Sequence, residues 1–238
     1  MTCRLISEYE GLKDFMLSLP RRFGKGEGTL IHNGRNQLRR FEVDGTSVVV
    51  KSFGRPNFIN RFVYGILRPS KAKRAFRNAQ RLQQVGVGTP APVGYLNVRR
   101  HGLFFRSYLV TLTSRCHQDF GVIMQAPDEY DDVLRAVART TARMHEAGIR
   151  HLDYGRGNIL FERTADGSVL VDLIDLNRMA FGKVSLQQGC KNFERLPATP
   201  HMHRIMAETY ARERGFDPEQ CFALMVAARR KSKNREQY

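Results

Sequence analysis

A chain of 238 residues with 42% hydrophobic content holds enough apolar material for one sizeable domain or two small lobes, and wholesale disorder is excluded. Its four cysteines, Cys3, Cys116, Cys190 and Cys221, form no C-x-x-C pair, which argues against a zinc site or a disulfide framework and fits a reducing cytosol. The opening "MTCRLISEYEGLKDF" has no apolar signal core, and no run approaches the ~20 apolar residues of a spanning helix, so a soluble or surface-attached protein is expected.

The net charge of +16 is uneven: between Asp44 and Asp119 lie 13 Lys and Arg and no acid, leaving +3 for the rest of the chain. Such a block sets a positive field over part of the surface, suited to anionic lipid, nucleic acid, a phosphorylated sugar or a nucleotide, or simply to solvent.

In chain order, Leu5, Tyr9, Leu12, Met16 and Leu19 recur at helical spacing, predicting an amphipathic helix over 5–19 that Pro20 ends. "GKGEG" at 24–28 lacks the Lys-Ser/Thr and the strand-to-helix context of a phosphate cradle and reads as a flexible loop. Three short strands follow, with turns at Asn33-Gly34 and Asp44-Gly45. Residues 70–84 read as a helix with Ser70 as N-cap and Gly86 beyond its end. Two more strands flank a His101-Gly102 turn. The second half carries a long helix ending at Gly148, a hairpin turning at Asp166-Gly167, and helices over 201–214 and 218–232. The change of character places a boundary near Leu112-Thr113.

The hairpin "HNGRNQ" offers backbone amides at Gly34 and the Arg35 side chain to cover a nucleotide, although most Asn-Gly turns merely turn. Lys51 ends the apolar run "SVVVK", where a lysine either snorkels to water or points at an anion. The strongest signal is His151-x-Asp153-x-x-x-x-Asn158, the spacing of a kinase catalytic loop. There the Asp sits beside the attacking hydroxyl and the Asn ligates Mg²⁺ beside the phosphates. Asp175, at the end of an apolar strand, supplies the second carboxylate of the metal site in a tripeptide Asp-Leu-Asn; Asp172 is read as surface. His151 is read as a loop-orienting group rather than an acid or base. Backbone groups at Thr111 to Thr113 are expected to bind adenine.

A strand lysine, one helix, a linker, a long helix, an Asp/Asn loop and a strand-end Asp follow the order of a protein kinase-like α+β fold. A small β-rich N-lobe with one helix (1–112) and a compact, mostly helical C-lobe (113–238) are expected. The chain resembles the bacterial lipopolysaccharide core kinases, which phosphorylate heptose or 3-deoxy-manno-octulosonate on the lipid A–core precursor. "IHNGRN", "FEVDGTSVVVKSF", "NRFVYGILRPSKAKRAF", "HEAGIRHLDYGRGNIL" and "LIDLNRM" carry the resemblance. It implies ATP and Mg²⁺ as cofactors and roles for Lys51 (nucleotide), Asp153 (catalysis), and Asn158 and Asp175 (metal). It also implies a sugar or glycolipid acceptor at the cytoplasmic face of the inner membrane. The basic segment 55–77 is expected to dock on that anionic surface, and nucleic acid is not an expected partner. One departure stands out. Residues 70–92 contain no acid to pair with Lys51, which leaves Asn78, Gln80 or an acid from elsewhere to orient it. A kinase of proteins or small molecules, or a non-catalytic nucleotide-binding scaffold, are the alternatives.

Overall fold

The structure, a computed structural model, describes residues 1–54, 69–100 and 103–236. The fold is mixed α/β, and the chain divides into two compact units: Met1–Gln80 with Pro90–Ser114, and Arg81–Thr89 with Arg115–Tyr238.

The first unit is built on a six-stranded antiparallel sheet. Its strands are β1 (Thr2–Leu5), β2 (Thr29–Asn33), β3 (Gln37–Val43), β4 (Thr46–Phe53), β5 (Pro92–Arg100) and β6 (Leu103–Leu112), in the order β1-β5-β6-β4-β3-β2. Alternation along β4 sorts its side chains: Val48 and Val50 enter one core, while Val49, Lys51 and Phe53 point to the other face. The β3–β4 connection is a tight turn in which Asp44 and Gly45 both take positive φ (48° and 74°), as the Asp-Gly pair predicts. The His101-Gly102 turn lies outside the described residues.

The expected N-terminal helix over 5–19 is corrected. Thr2–Leu5 forms an edge strand on β5, a 3₁₀ segment covers Ser7–Leu12, and helix α1 runs Lys13–Lys25. Pro20 sits inside α1 rather than ending it. A missing N–H and a carbonyl clash there cost ~3 kcal/mol, and burial offsets this. Phe15, Met16, Leu19 and Phe23 are all buried, with Phe15 edge-on to Phe41 at 5.3 Å and Phe23 edge-on to Tyr108 at 5.2 Å. The "GKGEG" stretch is likewise more ordered than a flexible loop. Gly24 and Lys25 complete α1, Gly26 caps it in the left-handed region, and buried Arg39 donates from Nη1 to the carbonyls of Gly26 (2.6 Å), Glu27 (3.2 Å) and Gly28 (3.0 Å).

Helix α2 (Lys71–Gln84) is capped as its sequence indicates, with the Lys73 amide on Ser70 Oγ at 3.1 Å. Its Ala72 and Phe76 pack with Phe53 and Tyr95, on the sheet face that carries Lys51.

The second unit contains β7 (Gln118–Asp119), α3 (Asp131–Glu146), β8 (Ile149–His151), β9 (Ile159–Arg163), β10 (Val169–Leu173), β11 (Met179–Phe181), α4 (Leu186–Lys191), α5 (Pro200–Arg214) and α6 (Pro218–Glu236). The strands make two small sheets, β10-β9-β7 and β11-β8. Helix α3 buries Val133, Leu134, Val137, Ala138, Thr141 and Met144, the face its 3.6-residue period marks out. The segment before β5 is sewn to β10. The Leu173 amide donates to the Gly88 carbonyl at 2.9 Å, Thr89 Oγ1 donates to the Leu173 carbonyl at 2.8 Å, and a Cβ on Gly88 would collide with the Val171 carbonyl. This stitching fixes the strand end from which Asp175 projects.

Candidate active site

The loop 151–158 leaves β8 and enters β9 through a one-turn 3₁₀ segment at Arg156–Asn158. Its conformation is written by hydrogen bonds to two side chains. The Asp153 amide donates to His151 Nδ1 at 3.1 Å, so that nitrogen is an acceptor; Nε2, 3.0 Å from the Ile174 carbonyl, therefore carries the proton and donates. Burial pushes the His151 imidazolium pKa down, which favours this neutral tautomer. His151 thus ties the loop to the residue preceding Asp175, the orienting role read from the sequence.

Asn158 closes the loop from its other end. Its Nδ2 donates to the Asp153 carbonyl at 2.7 Å, and its own carbonyl accepts from the Ile174 amide at 3.0 Å. A carbonyl partner can only accept, so the amide orientation is forced and Oδ1 is turned away from the loop backbone. The β9–β10 register pairs Ile159 with Leu173, and the Asn158–Ile174 bond extends that pairing by one residue, bringing Asn158 and Asp175 to the same end of the hairpin. Asp175 takes a positive φ of 56°, a conformation that Asp tolerates better than most residues, and Asn177 donates to its Oδ1. An amide oxygen and a carboxylate at one strand end are hard oxygen donors and fit Mg²⁺. Asp172 is half-buried on β10, opposite Leu160 in the register.

The Asp153 carboxylate faces two cations that sequence reading missed. Arg195 donates to Oδ1, and Arg178 Nη1 lies 3.7 Å from Oδ2. Behind the loop runs a second unforeseen chain of bonds. Arg214 donates to the Tyr210 hydroxyl (3.1 Å), which lies 2.9 Å from His145 Nδ1; His145 Nε2 lies 2.9 Å from Asn192 Oδ1, and Asn192 Nδ2 donates to the His151 carbonyl at 2.8 Å. Asn192 Oδ1 can only accept, so Nε2 carries the His145 proton and Tyr210 donates to Nδ1. Tyr154, fully buried, anchors the loop to α3 through a 2.6 Å bond to Thr141. The spacing of Tyr210, Asn192 and Arg195 carries no motif, so sequence reading had no signal for them. His145 does stand in the quoted stretch "HEAGIRHLDYGRGNIL", six residues before His151.

In the first unit, Lys51 lies opposite Leu38 and Leu109 in the sheet, with Nζ 5.4 Å from the Phe53 ring centroid. Thr111, opposite Val49, shares that sheet face. Gly34 and exposed Arg35 form the β2–β3 turn, whose Asn36 side chain receives the Gly54 amide (3.3 Å) just past β4. The Leu112 and Thr113 amides are committed to the Ala91 and Ser47 carbonyls at 2.8 and 3.0 Å, so adenine recognition there would fall to other groups of that segment. Asn78 is buried at 8% exposure, and Gln80 lines a groove beside β1 with Arg77 and Lys73. Among the described residues no cluster of three or more His, Cys, Asp or Glu could hold a metal by itself.

Burial lowers the His145 pKa from 6.5 to about 4. The neutral form is therefore the folded form. Its stability contribution is complete above pH 6.5 and is lost as pH falls toward 4, by roughly 3 kcal/mol at most. We expect the urea unfolding free energy of the wild type to fall from pH 6.5 to 5, with a smaller slope in His145→Gln. Because His151 adds to the same slope, only the difference is read; equal slopes would show that His145 is not held neutral.

Residues 39–210 match the family described as lipopolysaccharide kinase (Kdo/WaaP). Curated relatives named 3-deoxy-D-manno-octulosonic acid kinase include one from Photobacterium profundum, 34% identical over 47% of this chain and 44% of its own length. Another, from Vibrio vulnificus, is 25% identical over 59% and 57%. The chain thus spans about half the length of the curated relatives it matches. The solved structure of WaaP in complex with acyl carrier protein has the same fold, with a TM-score of 0.67, 20% identity, and coverage of 98% of this chain and 99% of that one. The sheet-based first unit, the bonded Asp153–Asn158 loop and the family match together place this chain in the lipopolysaccharide kinase (Kdo/WaaP) family.

Proposed function

We propose that the chain is an ATP- and Mg²⁺-dependent kinase that phosphorylates a sugar hydroxyl of the lipopolysaccharide inner core at the cytoplasmic face of the inner membrane. The observation that carries this reading is the forced orientation of Asn158. Its Nδ2 is committed to the Asp153 carbonyl, which leaves Oδ1 at the strand end that also presents Asp175. Lys51 would hold the α and β phosphates, with the Gly34–Arg35 turn covering the nucleotide and the Thr111–Thr113 segment taking adenine. Asn158 and Asp175 would hold Mg²⁺, which supplies charge neutralisation on the transferred phosphoryl group. Asp153 accepts the hydroxyl proton or orients the hydroxyl. Relatives named for an octulosonic acid support a sugar acceptor.

A second reading, nucleotide binding without turnover, is favoured by one fact: α2 offers Lys51 no carboxylate. Asp153→Asn separates the two. Nucleotide affinity should stay nearly intact while transfer to a lipid A–core precursor falls by roughly two to four orders of magnitude. Wild-type protein inert toward every glycolipid acceptor would favour the second reading. In a thermal-melt assay, Asp175→Ala should abolish the Mg²⁺-dependent part of ATP stabilisation and Asp172→Ala should do little; the reverse ranking would reassign the metal carboxylate.

Among the described residues no helix is long and apolar enough to cross a membrane. Residues 55–68 of the basic segment lie outside the described residues, whereas Lys71, Lys73, Arg74 and Arg77 stand on α2. Docking on an anionic bilayer would draw about 1 kcal/mol from each near-surface cation. Reversing Arg68, Lys71 and Lys73 to Glu should weaken binding to phosphatidylglycerol vesicles, as added salt should for the wild type. Unchanged vesicle binding would remove the segment from membrane contact.

A further inference from the structure

The Asp153 carboxylate is engaged from both sides by guanidinium groups that do not belong to its loop. Arg195 follows α4 in the Asn192–Arg195 turn, and Arg178 precedes β11. Both are about half exposed, at 49% and 55%, while Asp153 is 24% exposed. Exposed ion pairs of this kind add at most ~1 kcal/mol to stability, so fold maintenance does not account for two of them on one carboxylate. Their placement has a chemical consequence. A carboxylate accepts at about four lone-pair positions, and of these two arginines Arg195 alone is hydrogen-bonded to Asp153, so an acceptor hydroxyl can bind there with both guanidinium groups still beside it. The N–H groups that Asp153 does not use then stand next to the acceptor, and such a planar fork matches a carboxylate better than any neutral group.

We propose that Arg195 and Arg178 read a carboxylate on the acceptor sugar and, by holding it, set a hydroxyl of the same sugar against Asp153. The inference rests on the phosphotransfer reading above and narrows its acceptor to an acidic sugar. The two arginines are specificity-determining residues. A carboxylate held by the arginines and a hydroxyl held by Asp153 orient the substrate at two points.

The test uses the full chain and two probes, the methyl glycoside of 3-deoxy-manno-octulosonate and the methyl ester of that glycoside. Each is titrated calorimetrically and then assayed for transfer from ATP with Mg²⁺. Charge-assisted hydrogen bonding of the carboxylate should make the wild type prefer the acid over the ester by ~10–100-fold in binding and in kcat/KM. Arg195→Gln with Arg178→Gln should bring that ratio close to one, and Arg195→Lys should restore part of it; circular dichroism checks that each variant is folded. A ratio near one in the wild type, a ratio unchanged by the substitutions, or no binding of either probe overturns the proposal. So does an equal loss for acid and ester, which would place the arginines in service of Asp153 or the transferred phosphate. Acid-selective binding without transfer would contradict the kinase reading and leave the arginine pair standing, so the two failures are distinguishable.

Discussion

The conformation of the candidate catalytic loop depends on one imidazole held neutral. His151 receives the Asp153 amide on Nδ1 and donates from Nε2 to the Ile174 carbonyl, so a single side chain joins the backbone of Asp153 to the residue before Asp175. A proton on Nδ1 would turn the acceptor into a donor facing another donor. Burial works against this by disfavouring the charged ring. The backbone of Asp153 and the residue preceding Asp175 are thereby referenced to the same ring.

The rest of the second unit supports that ring. Asn192 holds the His151 carbonyl, His145 holds Asn192, and Tyr210 and Arg214 hold His145, each with a donor direction imposed by the next atom in the chain. Packing makes room for it, because a Cβ on Gly189 of α4 would run into the Tyr210 hydroxyl and come within 3.3 Å of His145 Nδ1. Buried polar networks are costly when half-satisfied, and here both ring nitrogens of His145 and of His151 and both ends of the Asn192 amide are paired. The charged groups at Asp153, Arg178 and Arg195, stand at the network's half-exposed outer end.

Much of this was legible in the sequence, for reasons that differ by level. The β3–β4 turn, the α2 cap and the α3 face follow local rules, and Asp-Gly, Ser70 and a 3.6-residue period report them directly. The 151–158 loop was legible as a motif because its residues stand at fixed spacing within one stretch of chain, and the structure closes it with bonds from His151 and Asn158. Helix α1 was misplaced because Pro20 is a strong local stop signal, and the buried Phe15, Met16, Leu19 and Phe23 override it. Arg195 and Asn192 escaped because they reach the loop across some forty residues of intervening chain, 42 and 41 respectively, where spacing carries no information.

Neutral, singly protonated histidines hold the loop. Side-chain ¹⁵N chemical shifts of His151 and His145 at pH 7 test it directly, with assignment by His151→Gln and His145→Gln. Two neutral rings are expected, each protonated on Nε2 with an acceptor signature on Nδ1, and the His145 signal should persist well below pH 6.5. A cationic ring at either position, or a proton on Nδ1, would contradict it.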